Sequence, residues 1–146
     1  ISLIHASNIF KFKLKIASPK KILKINENLL NNFQSKNIIL SSDSISVIKN
    51  ADCIMTDVWS SMGGKTSLNR LKLFRNFQIN GKLMTYAKKN AIFMHCLPAN
   101  RNKEVTDSVI DGKQSIVWDQ AKNRMYIQQS IMNFCIKKFT GKKVDF

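Results

Sequence analysis

Reactive side chains are scarce in this 146-residue chain, which makes their placement informative. It has two histidines and three cysteines, and one of each stands side by side in HCLPANR, residues 95–101. A Cys beside a His raises the possibility of a nucleophile and its base. Adjacent residues at the end of a strand project in opposite directions, however, so His95 is badly placed to deprotonate Cys96. Two further polar groups accompany this stretch. One is Asp57 with Trp59, Ser60, Ser61, Met62 and Gly63; the other runs from Asp119 to Arg124. Asp57 can accept hydrogen bonds from a cationic amine. Ser61 and the small residues around Gly63 can offer hydroxyl and backbone groups to a carboxylate. Arg101 and Arg124 can fork onto a phosphate or carboxylate. Together these residues describe a site for an amino acid and an anion.

Elements that would position these groups can be read from periodicity. FKFKLKIAS (10–18) alternates as a strand, and Pro19 ends it. Residues 22–35 place Ile22, Ile25, Leu29, Leu30 and Phe33 on one helical stripe. NIILSS (37–42) reads as a strand, with Ser42 or Asp43 capping a helix over 44–50. CIMT, AIFMHCL and SIVWDQ read as three more strands. Two helices fall between the first and second of these (70–79 and 82–90), broken at Asn80-Gly81. A helix over about 120–138 closes the chain. Strands alternating with helices predict an α/β fold, a doubly wound, mainly parallel sheet flanked by helices. In such sheets ligands bind beyond the carboxyl ends of the strands, which is where all three polar clusters fall.

Composition excludes several classes. No apolar run approaches the roughly 20 residues that a membrane helix needs. The cysteines follow no zinc-ligand spacing, so no metal is expected, and three unpaired thiols fit a reducing cytoplasm. Neither dinucleotide nor P-loop glycine spacing occurs, and Gly63-Gly64-Lys65 fails the latter. The formal net charge of +15 points toward polyanions, but 20 of the 24 basic residues are Lys and they are scattered. Readers of nucleic acid favour Arg forks and interleaved aromatics, so no specific nucleic-acid partner is expected. The chain opens without Met and in mid-pattern, and it reads as a fragment with no signal peptide.

The ordered set TDVWSSMG, FMHCLPANR and EVTDSVIDGKQSIVWDQAKNRMYIQQSIM closely resembles the ornithine carbamoyltransferase family, and SLIHASNIFKFKLKIASPK fits ahead of it. The resemblance covers essentially the whole chain. It implies the Rossmann-like second domain of that fold, with residues 1–146 as an ornithine-binding domain. The first domain's Ser-Thr-Arg-Thr and His-Pro-Thr-Gln segments for carbamoyl phosphate do not occur here.

Carried over by motif, the resemblance implies that Asp57, Ser61 and Met62 bind ornithine. It implies a catalytic Cys96, and contacts from Cys96, Leu97 and Arg124 to carbamoyl phosphate, with His95, Pro98 and Arg101 in support. The implied reaction transfers a carbamoyl group to the δ-amine of L-ornithine, giving citrulline and phosphate, without cofactor or metal. A cytoplasmic homotrimer is the implied assembly of the full-length protein, and this chain alone is expected to be inactive. The alternatives are a related carbamoyltransferase or a non-catalytic amino-acid-binding module of the same fold. Two departures stand out. The family pattern HCLPAHRG is broken by Asn100 and Asn102, and Gly64-Lys65 replaces the Gln-Glu that often follows SMG.

Overall fold

The computed structural model describes residues 2–25, 37–59 and 68–141. In chain order these form α1 (Ser2–Phe10), β1 (Leu14–Ala17), α2 (Lys20–Ile25), β2 (Ile38–Ser41), α3 (Ser44–Ile48) and β3 (Cys53–Thr56). Then come α4 (Leu68–Phe74), a 3-10 turn (Arg75–Phe77), α5 (Gly81–Met84), β4 (Ile92–His95), α6 (Asp107–Ile110) and α7 (Val117–Thr140). β1 pairs in parallel with β2, and β3 with β4, with Ile54 opposite Phe93 and Thr56 opposite His95. Parallel neighbours joined through helices are what the alternating sequence predicts. Among the described residues the hydrogen bonds divide the four strands into two ladders.

Side-chain caps explain where the short helices begin. Asp43 Oδ1 accepts the amide of Ile45 at 2.9 Å and opens α3. Asn80 accepts the Leu83 amide at 2.9 Å and opens α5. At the other end of the chain, Gly141 takes φ +72° and donates its amide to the Lys137 carbonyl at 2.9 Å, closing α7. Only glycine adopts that conformation without a side-chain penalty.

Apolar side chains from β3, β4, α5, α6 and the start of α7 form the core. Phe93 and Val105 are fully buried, with Ile54, Leu83, Ala91, Ile110 and Val117 around them. α7 packs on β4, and α3 packs on β1, β2 and α5. Beyond Val117, α7 leaves a different surface: Trp118, Ile127, Ile131, Phe134 and Phe139 are all more than half exposed.

Three local readings of the sequence are corrected. The strand expected over 10–18 is confined to Leu14–Ala17, because Phe10 ends α1 and is 75% exposed rather than part of an alternating face. The helix expected over 82–90 is replaced by the four residues Gly81–Met84 of α5. SIVWDQ is not a strand. Ser115 makes a single parallel bridge to Phe93, Ile116 donates to the Phe93 carbonyl, and the helix starts at Val117. The Gln120 amide closes the first turn on Ile116, and Asp119 sits in that turn, where a negative charge suits the helix dipole. The stripe expected over 22–35 extends beyond α2 into residues outside those described, as do Ser60 to Lys65.

Candidate functional site

β3 and β4 end side by side, so the loops that leave them meet. Asp57 follows β3 directly, and Cys96 follows β4 directly. The Cys96 thiol donates to Asp57 Oδ1 at 3.1 Å, bridging the two loops. The same oxygen accepts the Val58 amide at 2.7 Å. Asp57 is exposed and Cys96 is half-buried. The β3 loop is held from behind. Trp59 is buried and stacks on Phe74 of α4 with ring centroids 5.9 Å apart, while Arg70 donates to the Trp59 carbonyl and lies 5.7 Å from the Phe74 ring centre.

Burial pushes the Cys96 thiol above its ordinary range, and the Asp57 carboxylate that it faces pushes it further. A backbone hydrogen bond and the charge of Arg124 pull the other way. The thiol is therefore neutral near pH 7 and acts as a donor, not a nucleophile. One consequence is testable with Cys53 and Cys135 changed to Ser. Asp57→Asn removes the carboxylate that raises the thiol, so Cys96 is expected to alkylate with iodoacetamide faster at pH 7.5 than in the Asp57 protein. An unchanged or slower rate would contradict the coupling.

Arg124 lies about two turns into α7, on an exposed face. Its charge is the smallest of the influences on the Cys96 thiol, and it stands on a helix, not at the strand end that the sequence suggested. Arg101 has another role. Its guanidinium donates to Asp111 Oδ1 at 2.9 Å and to Asp107 Oδ1 at 2.7 Å, and Asn102 donates to Asp107 at 3.1 Å. Asp111 and Asp107 hold Arg101 above its usual range, and Arg101 holds both carboxyls below theirs. It ties the loop after β4 to α6 and does not present an open fork to an anion.

His95 and Cys96 do not form a dyad. His95 is fully buried and its Nδ1 accepts the Leu97 amide at 2.9 Å, which places the proton of the neutral imidazole on Nε2. Its own amide donates to Gln120 Oε1 of α7 at 2.9 Å. Leu97 has φ +54°, a conformation costing a branched residue on the order of 1–3 kcal/mol, and the Leu97–Pro98 bond is cis. Sequence reasoning missed two members of this arrangement, Gln120 and Glu104. Glu104 is completely buried and accepts the Asn100 amide. Nothing in an isolated Glu between two loop residues signals burial. Ser61 and Met62 lie outside the described residues.

A cleft of about 460 Å³ opens elsewhere, at the entry to β4, lined by Met84, Lys88, Lys89, Val109, Lys113 and Gln114 among others. It shares no residue with the Asp57–Cys96 cluster and lies at the opposite end of the strand. Among the described residues no group of His, Cys, Asp and Glu can hold a metal ion. No helix among them is long and apolar enough to cross a membrane.

Comparison with known proteins gives a consistent result. The family described as aspartate/ornithine carbamoyltransferase, Asp/Orn binding domain, matches residues 1–135. An ornithine carbamoyltransferase of Rhodopseudomonas palustris is 44% identical over 137 residues, covering 92% of this chain and 44% of the relative. One from Methanocaldococcus jannaschii is 40% identical over 144 residues, covering 94% of this chain and 47% of the relative. The solved Pyrococcus furiosus ornithine carbamoyltransferase superposes with a TM-score of 0.68 at 41% identity, over 83% of this chain and 41% of that one. The anabolic enzyme of Campylobacter jejuni superposes at 0.75 with 31% identity, over 91% and 46%. This chain thus spans less than half the length of the relatives it matches.

Proposed function

This chain belongs to the aspartate/ornithine carbamoyltransferase family, as its Asp/Orn-binding domain, and on that premise we propose that it is the ornithine-binding half of an ornithine carbamoyltransferase. The observation that carries the proposal is the hydrogen bond from Cys96 to Asp57, which sets an acceptor for an amine beside a donor at one edge of the β3–β4 pair. Asp57 accepts from an amine N–H of ornithine, with Ser61 and Met62 completing that contact. Cys96 and the Leu97 carbonyl meet the carbamoyl group, and Arg124 meets the phosphate.

In the proposed reaction the neutral δ-amine nitrogen forms a bond to the carbamoyl carbon. The bond from that carbon to the phosphate-bearing oxygen breaks, its electron pair leaves with phosphate, and the proton given up by the amine ends on that departing phosphate. Holding the two reactants in contact supplies much of the acceleration, and donors aimed at the developing charge supply the rest. A neutral Cys96 thiol fits this scheme because no covalent step passes through sulfur. The three thiols, all free, suit a reducing cytoplasm.

The carbamoyl phosphate side belongs, in this reading, to an N-terminal domain outside this chain. The exposed apolar residues along α7 support it, since a helix face carrying Ile127, Ile131 and Phe134 in water is characteristic of a surface that another domain covers. A trimer of the full-length protein follows from family likeness alone. The test is a completed protein, in which this chain follows the N-terminal half of the Rhodopseudomonas palustris relative. Given carbamoyl phosphate, it is expected to carbamoylate ornithine in preference to aspartate, putrescine or N-acetylornithine. Preference for any of the other three would assign the site to a different carbamoyltransferase. Ornithine binding without turnover would favour a non-catalytic amino-acid-binding module.

A further inference from the structure

The loop that follows Cys96 is held by two buried ionisable side chains that the proposed chemistry does not use. From one side, His95 Nδ1 accepts the Leu97 amide at 2.9 Å. From the other, Glu104 Oε1 accepts the Asn100 amide. Between them, His95 Nε2 and Glu104 Oε1 face each other at 3.6 Å, with both side chains at 0–1% exposure. Neither His95 Nε2 nor Glu104 Oε2 has a hydrogen-bond partner among the described residues. Burying a carboxyl group is costly unless it is hydrogen-bonded, and the bond Glu104 makes among the described residues is to the Asn100 amide of this loop.

The backbone of Glu104 is itself fixed. Its carbonyl accepts the Ile79 amide at 2.9 Å, and the neighbouring Val105 is fully buried and bridges to Ile79 and to Arg101. Glu104 is therefore a post rooted in the core, reaching back to a loop whose Leu97 has a left-handed backbone. That backbone sets the direction of the Leu97 carbonyl, next to Cys96.

We propose that Glu104, paired with His95, is a positioning residue that sets the orientation of the Leu97 carbonyl for the transfer step. This rests on the ornithine carbamoyltransferase reading of the site. Glu104 touches no substrate and acts through the Asn100 amide and the imidazole. Its loss should misdirect groups aimed at the reacting carbon while leaving the ornithine contact at Asp57 in place.

The experiment compares Glu104→Gln, which keeps an acceptor for the Asn100 amide, with Glu104→Leu, which has none, in the completed protein. Glu104→Met, unbranched and more adaptable, replaces the Leu variant if that one does not fold. The expected result is a kcat lowered about 30-fold or more in the folded apolar variant, with KM for ornithine changed by less than about 3-fold, because small misplacements act on the transition state. The Gln variant should keep kcat within about 3-fold of the parent, since the acceptor that orients the loop is retained. A purely structural role would lower the melting temperature of the apolar variant and leave kcat per folded molecule unchanged, overturning the inference. A Gln variant as slow as the apolar one would also overturn it. An inactive parent would instead count against the transferase reading itself.

Discussion

Replacing Asp57 by Ala in the completed protein is expected to lower kcat/KM for ornithine about 100-fold, roughly 2.7 kcal/mol of lost transition-state stabilisation. Asp57 is the first residue beyond β3, is exposed, and already accepts from Val58 and Cys96 through Oδ1; none of the described residues bonds Oδ2. A carboxylate so placed has capacity left for a cationic amine, and charged hydrogen bonds are the stronger kind. Cys96→Ala removes the donor to this carboxylate as well as the group proposed to meet the carbamoyl carbon. Its expected cost is about 10- to 100-fold in kcat/KM, within the range for removing one oriented donor. Because Asp57 is exposed and Cys96 is half-buried, both variants should fold. Unchanged kcat/KM in both, measured by citrulline formation at limiting ornithine, would remove these residues from the site.

The 146-residue chain by itself is expected to make no citrulline above the uncatalysed background, while the completed protein turns over. Arg124 is the only group among those described that is assigned here to the phosphate, and one exposed cation at the edge of α7 cannot hold a small dianion in register against an amine. Effective molarity is lost when one of two reactants is unbound, and for well-oriented pairs that loss reaches about 7–11 kcal/mol. The assay runs both proteins at equal concentration with saturating ornithine and carbamoyl phosphate. Robust turnover by the short chain would mean that it carries its own phosphate site.

The sequence revealed the chemistry more readily than the geometry. Asp57 and Cys96 could be placed at strand ends because CIMT and AIFM are short apolar runs followed at once by polar residues. The structure then put those ends in contact. SIVWDQ misled because its first four residues look like a buried strand, yet only Ser115 joins β4 and the chain turns helical at Val117. The apolar pattern records that Val117 is buried, which a helix start satisfies as well as a strand does.

Arg101 and Glu104 were illegible for a different reason. Their partners, Asp107 and Asp111 for one and the Asn100 amide and His95 for the other, are fixed by how the loop folds back between β4 and α6. No periodicity encodes such a return. In the same loop, Asn100 departs from the family pattern at a position held through its backbone. What the structure uses at that position is the backbone amide donated to Glu104 and the carbonyl that accepts from Lys103 at 3.0 Å.

In the proposed function the Asp57–Cys96 edge presents the δ-amine of ornithine to a carbamoyl donor. Incubating the completed protein with ¹³C-labelled carbamoyl phosphate and ornithine, and locating the label in the product by NMR, tests it most directly. The expected product carries a ureido carbon bonded to Nδ, and Asp57→Ala forms it about 100-fold more slowly at limiting ornithine. Label on the α-amine, or transfer that survives Asp57→Ala unchanged, would contradict it.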